Sequence, residues 1–142
     1  MNFHSKGFDE LSAMELYEIL RSRAEIFVAE QKMSYVDMDG IDYNCLHCYI
    51  EDGGRVTAYL RAFYDSDGSV KIGRVLTLSH GSGVGRLLME SALDAIKKKL
   101  PAKLIYVNSQ EHAIGFYEKF GFAGVSDVFY EQNIPHVRME LK

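Results

Sequence analysis

Glycine stands at alternate positions in HGSGVG, His80 to Gly85, directly before RLLMESALDAIKKKL. That placement limits the fold more than anything else in the chain. The segment after it is a well-marked helix: Val84, Leu87, Leu88, Ser91, Ala92, Ala95 and Ile96 form one apolar or small-residue stripe. Lys97, Lys98 and Lys99 suit the negative end of a helix, and Pro101 prevents its continuation. Residues 70–78 before it and 103–109, KLIYVNS, read as strands, so the middle of the chain is a β-α-β crossover with a glycine-rich turn at the helix entrance.

The flanking segments read as an antiparallel meander. Strands are expected near 46–51, 55–64 and 70–78, with Asp52-Gly53-Gly54 and Asp65-Ser66-Asp67-Gly68 as the turns between them. An earlier helix opens on a capping box, Ser12 with Glu15, and a staple of Leu11 on Leu16. Leu16, Ile19, Leu20, Ile26 and Phe27 then recur at helical spacing. A third helix over roughly 111–120 ends at Gly121, and the tail returns as strands near 125–130 and 136–141. The expectation is one domain over 1–142, of mixed α/β class, with a mostly antiparallel sheet flanked by helices.

The composition excludes several roles. Twenty acidic against 16 basic side chains give a formal charge of −4, where nucleic-acid binding usually demands a basic face. No apolar run approaches the length of a membrane span, and the N-terminus, MNFHSKGFDE, lacks the apolar centre of a signal peptide, so a cytoplasmic protein is expected. Cys45 and Cys48 lack a second ligand pair for zinc and read as incidental thiols. Asp37, Asp39 and Asp42 do not follow a calcium loop, because Asp42 stands where such a loop needs glycine. No metal is expected. The acidic loop is a solvated turn or an attractant for an amine.

A strand running into a helix N-terminus presents unpaired N–H groups and partial positive charge, and glycines let a phosphate approach without meeting Cβ atoms. A plain βα turn is the simpler account. A dinucleotide fingerprint fails because position 86 is Arg86, and a Walker A loop fails because the chain has no Gly-Lys pair. The stretch resembles the Arg/Gln-x-x-Gly-x-Gly/Ala motif of the GNAT N-acyltransferase superfamily, with His80 in the place of the Arg or Gln. YVNSQEHAIGFYEKFGF resembles that superfamily's second signature through Asn108, Phe116, Tyr117, Gly121 and Phe122. RAEIFVAEQKMSYVDMDGID and IPHVRMEL are similar to its ElaA-like branch. The interval from Gly73-Arg74-Val75 to the loop is about two residues shorter than the commoner form.

The resemblance implies a GNAT fold whose fourth and fifth strands, here 70–78 and 103–109, splay apart. It implies acetyl transfer from acetyl-coenzyme A to a small-molecule or peptide amine, by direct attack in a ternary complex. His80, Gly81, Ser82, Gly83, Val84, Gly85 and Arg86 would hold the pyrophosphate, and backbone N–H groups of Leu76, Thr77 and Leu78 would polarise the thioester carbonyl. Asn108 would bind the coenzyme or satisfy a turn. Tyr117 would protonate the leaving thiolate, or else pack in the core with Ala113, Phe116 and Phe120. Glu30, His47, Glu51, His112 and His136 are candidates for the base, Glu30 and His136 standing in branch-like stretches; a water chain is the other route. A non-catalytic acyl-coenzyme A module, a longer acyl chain or a hydroxyl acceptor are the rival readings. A sheet edge or the C-terminal strand offers a place for a second copy, so a homodimer is compatible with the sequence.

Overall fold

The computed structural model describes residues 1–142. Its sheet begins with a strand that the sequence pattern does not announce, β1 (Asn2–Gly7). Helix α1 (Ala13–Arg23) follows and runs on as a wider π-helical segment, Ala24–Glu30. The meander is β2 (Leu46–Asp52), β3 (Arg55–Tyr64) and β4 (Val70–Thr77), within a residue or so of the expected strands. Helix α2 (Val84–Lys99) crosses to β5 (Ile105–Gln110). The helix expected over 111–120 is shorter: a 3-10 turn, Glu111–Ala113, leads into α3 (Ile114–Glu118). The strand expected near 125–130 is two pieces, β6 (Ala123–Gly124) and β7 (Phe129–Glu131), before β8 (Ile134–Leu141).

The sheet order is β1-β2-β3-β4-β5-β8-β6, with β7 also paired to β8. Only β4 and β5 are parallel, as the crossover requires. One face packs on α2 through Cys48, Leu60, Ile72, Val107, Leu88 and Ile96. The other packs on α1 and the π-helical segment through Tyr49, Val56, Tyr59, Leu76, Ile19 and Phe27. Because both faces are covered, β3 is buried at Tyr59 and Arg61 as well as at Leu60 and Ala62. In α2, Leu87 departs from the expected stripe and is exposed.

The α1 capping box forms as its spacing demands: Ser12 Oγ accepts from the Glu15 N–H at 3.1 Å, and Glu15 Oε1 accepts from the Ser12 N–H at 2.8 Å. Glu15 Oε2 also receives Lys6 Nζ from β1 and the Tyr49 hydroxyl from β2, each at 2.7 Å. One carboxylate thus ties the edge strand to the helix entrance. The cysteines are free and buried, and burial pushes both thiols up to about 12.

The acidic loop is exposed along much of its length, as a solvated turn would be, but its three carboxylates are paired with arginines rather than left for an amine. Arg23, fully buried on α1, donates to Asp37 at 3.0 Å and to Asp42 at 2.7 Å. Arg61 on β3 reaches Asp39 at 2.6 Å and Asp42 at 2.9 Å. Arg74 on β4 reaches Asp37 at 3.0 Å and Asp39 at 3.3 Å. Three guanidiniums and three carboxylates close into one lattice beneath the loop. His47 sits against it, its Nε2–H donating to the Asp42 carbonyl at 2.9 Å and its Nδ1 accepting from the Tyr59 hydroxyl at 2.7 Å.

Removing one member strands its buried partners. Arg23→Ala is expected to lower the unfolding free energy by about 3–5 kcal/mol, read from the shift of the urea midpoint. Acid attacks the same lattice from its other side. Hydrogen bonds from Arg61 hold Asp39 down to about 2, and for Asp42 burial pushes upward but the Arg23 and Arg61 guanidiniums bring it below the ordinary value. Below about pH 4 the unfolded chain binds protons on these groups that the native chain refuses. Stability therefore falls as pH drops from about 4 toward about 2, which thermal melts across that range will record.

Candidate active site

β4 and β5 share only three rungs, Val70 with Ile105, Lys71 with Tyr106 and Ile72 with Val107, and then part. The cause lies on the other edge of β4. Between the pairs Tyr59–Leu76 and Arg61–Gly73, two residues of β4, Arg74 and Val75, oppose the single Leu60. Such a bulge bends and twists its strand. Arg74 takes a left-handed φ of 53° there, held by its two aspartates and by its guanidinium 4.4 Å from the Tyr35 ring centroid. Where the strands part, a cleft of about 740 Å³ passes through the sheet.

One end of the cleft is the glycine turn. Gly81 and Gly83 have φ of 75° and 80°, which a side chain would resist. Gly83 is the N-cap of α2, and Leu87 N–H makes the first intrahelical bond to its carbonyl at 3.1 Å. The N–H groups of Val84, Gly85 and Arg86 therefore have no helical acceptor, and the first turn contains no acidic residue. Gly85 is a different case: its φ is not left-handed, and a Cβ there would make only ordinary contacts with Phe116 and Thr77, each at 3.5 Å. His80, Gly81 and Ser82 line the same wall, and Arg86 turns back to Glu90 at 2.7 Å.

Leu76 and Thr77 line the middle of the cleft, while Leu78 does not. The Leu78 N–H already donates to the Thr57 carbonyl at 2.8 Å. Backbone donors alternate in direction along a strand, so Leu76 also points its N–H at β3 and Thr77 points away, into the gap. Of the three amides expected to polarise a carbonyl, only that of Thr77 has the direction for it.

Tyr117 comes from α3, on the α2 side of the sheet. It is buried, edge-on to Phe116 and Phe122, and burial alone raises its phenol above the ordinary range. It packs in the core with its aromatic neighbours and also borders the cleft. Burial keeps the phenol neutral, a hydrogen-bond donor beside the cleft, and makes it a weaker acid than a free tyrosine.

The α1 side carries a different set of groups. Glu30 is exposed on the cleft wall and His112, hydrogen-bonded to Gln110 at 2.7 Å, lies at its rim. His136 is buried and reaches the cleft from β8. Asn108 faces this side too, donating from Nδ2 to Glu131 Oε1 at 3.2 Å. Two bridges span the opening, Ser34 to Gln132 and Gln110 to Gln31. His47 and Glu51 lie outside the cleft, His47 in the lattice and Glu51 opposite Asn2 near the β2–β3 turn. No cluster of three or more His, Cys, Asp or Glu is placed to hold a metal. The sequence reading missed Glu131, Arg74 and Tyr35. Arg74 and Tyr35 stand inside stretches quoted for the resemblance but carry no local signal of their own, and Glu131 has only its place before the β7–β8 turn.

A parallel strand pair that parts at a bulge, over a glycine turn at a helix N-terminus, is the architecture of the GNAT acyltransferases. Residues 8–142 match the acetyltransferase (GNAT) domain family, and the chain belongs to it. It is 36% identical to protein ElaA of Escherichia coli over 136 residues, covering 92% of this chain and 89% of that one. The crystal structure of E. coli ElaA superposes with a TM-score of 0.92 over 99% of both chains, at 33% identity. An acyl-CoA N-acyltransferase from Pseudomonas aeruginosa gives 0.91 over 99% of both, at 36% identity. An aminoglycoside 6'-N-acetyltransferase complexed with coenzyme A shares the fold at 13% identity, with a TM-score of 0.76 over 97% of this chain and 96% of that one.

The two kinds of glycine in the turn separate by mutation. Gly83→Ala places a Cβ in a left-handed conformation and is expected to cost about 1–2 kcal/mol of stability. Gly85→Ala meets only ordinary contacts inside a helix and is expected to cost nothing, with a gain of up to about 1 kcal/mol from helix propensity. Urea melts of the two single variants provide the comparison.

Proposed function

We propose that this chain, as a single transferase domain over residues 1–142, moves an acetyl group from acetyl-coenzyme A to an amine by direct attack. The observation that carries the reading is the cleft itself: a helix N-terminus for phosphate at one end, a free strand amide at its middle and a protonated phenol beside it.

The pyrophosphate belongs at the N–H groups of Val84, Gly85 and Arg86, reached past Gly81 and Gly83, with Ser82 and His80 beside it. The pantetheine arm follows β4 in place of the strand that β5 fails to supply. The Thr77 N–H then points at the thioester oxygen and stabilises the charge that develops there. A thioester is already activated, so orienting two substrates and managing protons is sufficient chemistry. Tyr117 gives its proton to the departing sulfur. His136 and Glu30 stand on the acceptor side, where the ammonium must lose a proton before its nitrogen can attack.

Calorimetry with acetyl-coenzyme A tests the coenzyme site. Micromolar binding is expected for the native chain, with loss of that binding in a Gly83→Val, Gly85→Val double variant shown by circular dichroism to remain folded. A native chain that does not bind sinks the reading. Tyr117→Phe separates catalysis from mere binding: it is expected to keep coenzyme affinity and to lose about a hundredfold or more in turnover.

A further inference from the structure

The α1 face of the sheet has a stretch of floor with no side chain on it. Val70 and Ile72 of β4 belong to the α2 core, and strand residues alternate between faces, so Lys71 and Gly73 face the other way. Lys71 is level with Phe63 on β3 and with Tyr106 on β5, and Gly73 is level with Arg61. Nothing within the protein requires a glycine at 73. Its φ is not left-handed, and a Cβ there would meet no atom within 4 Å. The open space belongs to the cleft, whose lining includes Gly73, Lys71, Arg74, Asn108 and Glu131.

Lys71 is the cation on this face that the protein leaves unused. Arg61 is bound to Asp39 and Asp42, and Arg74 to Asp37 and Asp39. Arg138 of β8 is bound to Glu140 and stacks on the Tyr106 ring. Asp65 accepts from the Tyr106 hydroxyl and from the Ser66 N–H. Lys71 itself is half-buried, flanked by the rungs of Phe63 and Tyr106, and has no hydrogen bond or ion pair. A lysine that merely covers the sheet with its stem would account for this residue, but not for the bare floor beside it.

The charges of the cleft are thus sorted by end. Glu30 and Glu131 line it on the α1 side, while Lys71 stands where β4 and β5 are still paired. We propose that the floor at Gly73 carries the body of the acceptor and that Lys71 binds a carboxylate at its far end. The inference rests on the acyl-transfer reading and narrows the acceptor to a long molecule with a nitrogen at one end and a single negative charge at the other. One ammonium balances one carboxylate. A phosphate dianion would call for the fork of an arginine or a second cation, and the arginines here are taken.

The sheet register sets the length. Lys71 is opposite Phe63 and Thr77 is opposite Ala58, five positions apart on β3. At about 3.4 Å per residue, Lys71 and the Thr77 amide are about 17 Å apart along the sheet. The lysine stem and the reacting atoms take up part of that span. What remains is roughly 10 Å between nitrogen and carboxylate, about three residues of extended peptide.

The test uses the full chain with acetyl-coenzyme A and reads release of free thiol. The acceptors are linear amines ending in a carboxylate, in graded lengths, and tripeptides as free acids, each offered beside its neutral amide. At the matching length the acid is expected to have a KM about tenfold or more below that of its amide, and short acids that cannot span the floor to show no such preference. Lys71→Met, which keeps the stem and removes the charge, is expected to bring the ratio of the two KM values to about one, and Lys71→Glu to invert it. Gly73→Val fills the floor and is expected to raise KM for long acceptors of both kinds, with KM for acetyl-coenzyme A unchanged and the fold confirmed by circular dichroism. Acids and amides used alike at every length, a preference that survives in Lys71→Met, or a coenzyme-binding protein that acetylates nothing in the set would each overturn the proposal. Failure of the native chain to bind acetyl-coenzyme A is a separate result that removes the acyl-transfer reading itself.

Discussion

Three arginines and three aspartates, interlocked under one loop, hold the parts of this protein in register. Arg23 comes from a helix, Arg61 from a central strand and Arg74 from the bulge that bends the next strand. Asp37, Asp39 and Asp42 all come from a loop that has little regular structure of its own. Burying Arg23, Arg61 and Asp42 is costly, and well-packed apolar groups would often serve stability as well. What apolar groups cannot supply is direction. Bidentate guanidiniums fix the loop to one position over the sheet and hold Arg74 in a left-handed conformation that its side chain would otherwise avoid. The bulge follows from that hold. The parting of β4 from β5 follows from the bulge, and the outward Thr77 amide from the strand's alternation beyond it.

The parting makes an opening that passes through the sheet, so two faces that normally have separate environments meet. The α2 side contributes the glycine turn and Tyr117, embedded among Phe116, Phe120 and Phe122. The α1 side contributes Glu30, Glu131 and His136, wetter and more polar. An apolar neighbourhood keeps the phenol protonated by desolvation alone. In the proposed function, the groups given acid and base roles are thereby separated by the thickness of a sheet yet converge on the same gap.

Most of the fold was legible because its signals are local. Ser12 and Glu15 lie three residues apart, the hairpin turns carry their own glycines, and the α2 stripe repeats within one helix. What escaped notice lacks a short-range signature. β1, NFHSKG, is an edge strand that shows no clean alternation, and it is held partly by Lys6 reaching Glu15 on another element. The π-helical segment keeps the apolar spacing of an ordinary helix at Ile26 and Phe27, so periodicity does not distinguish it. The acidic loop read as solvated because its partners are Arg23, Arg61 and Arg74, scattered over two strands and a helix. Leu78 was placed at the site by motif spacing, which is blind to which way an amide points.

The lattice also bears on how the protein would select an acceptor. An acidic loop beside a cleft invites the thought that its charge draws cations in. Here each of its three carboxylates is met by guanidinium at hydrogen-bonding distance, and Coulomb attraction from a neutralised cluster falls away quickly in water. Glu30 and Glu131 have no arginine or lysine beside them, although the chain as a whole carries a net charge of −4. In the proposed function, selection of an acceptor therefore falls to groups inside the cleft, at a distance where geometry as well as charge decides what fits. The loop's contribution is mechanical: with its charge spent on internal order, it fixes the wall against which that geometry is measured.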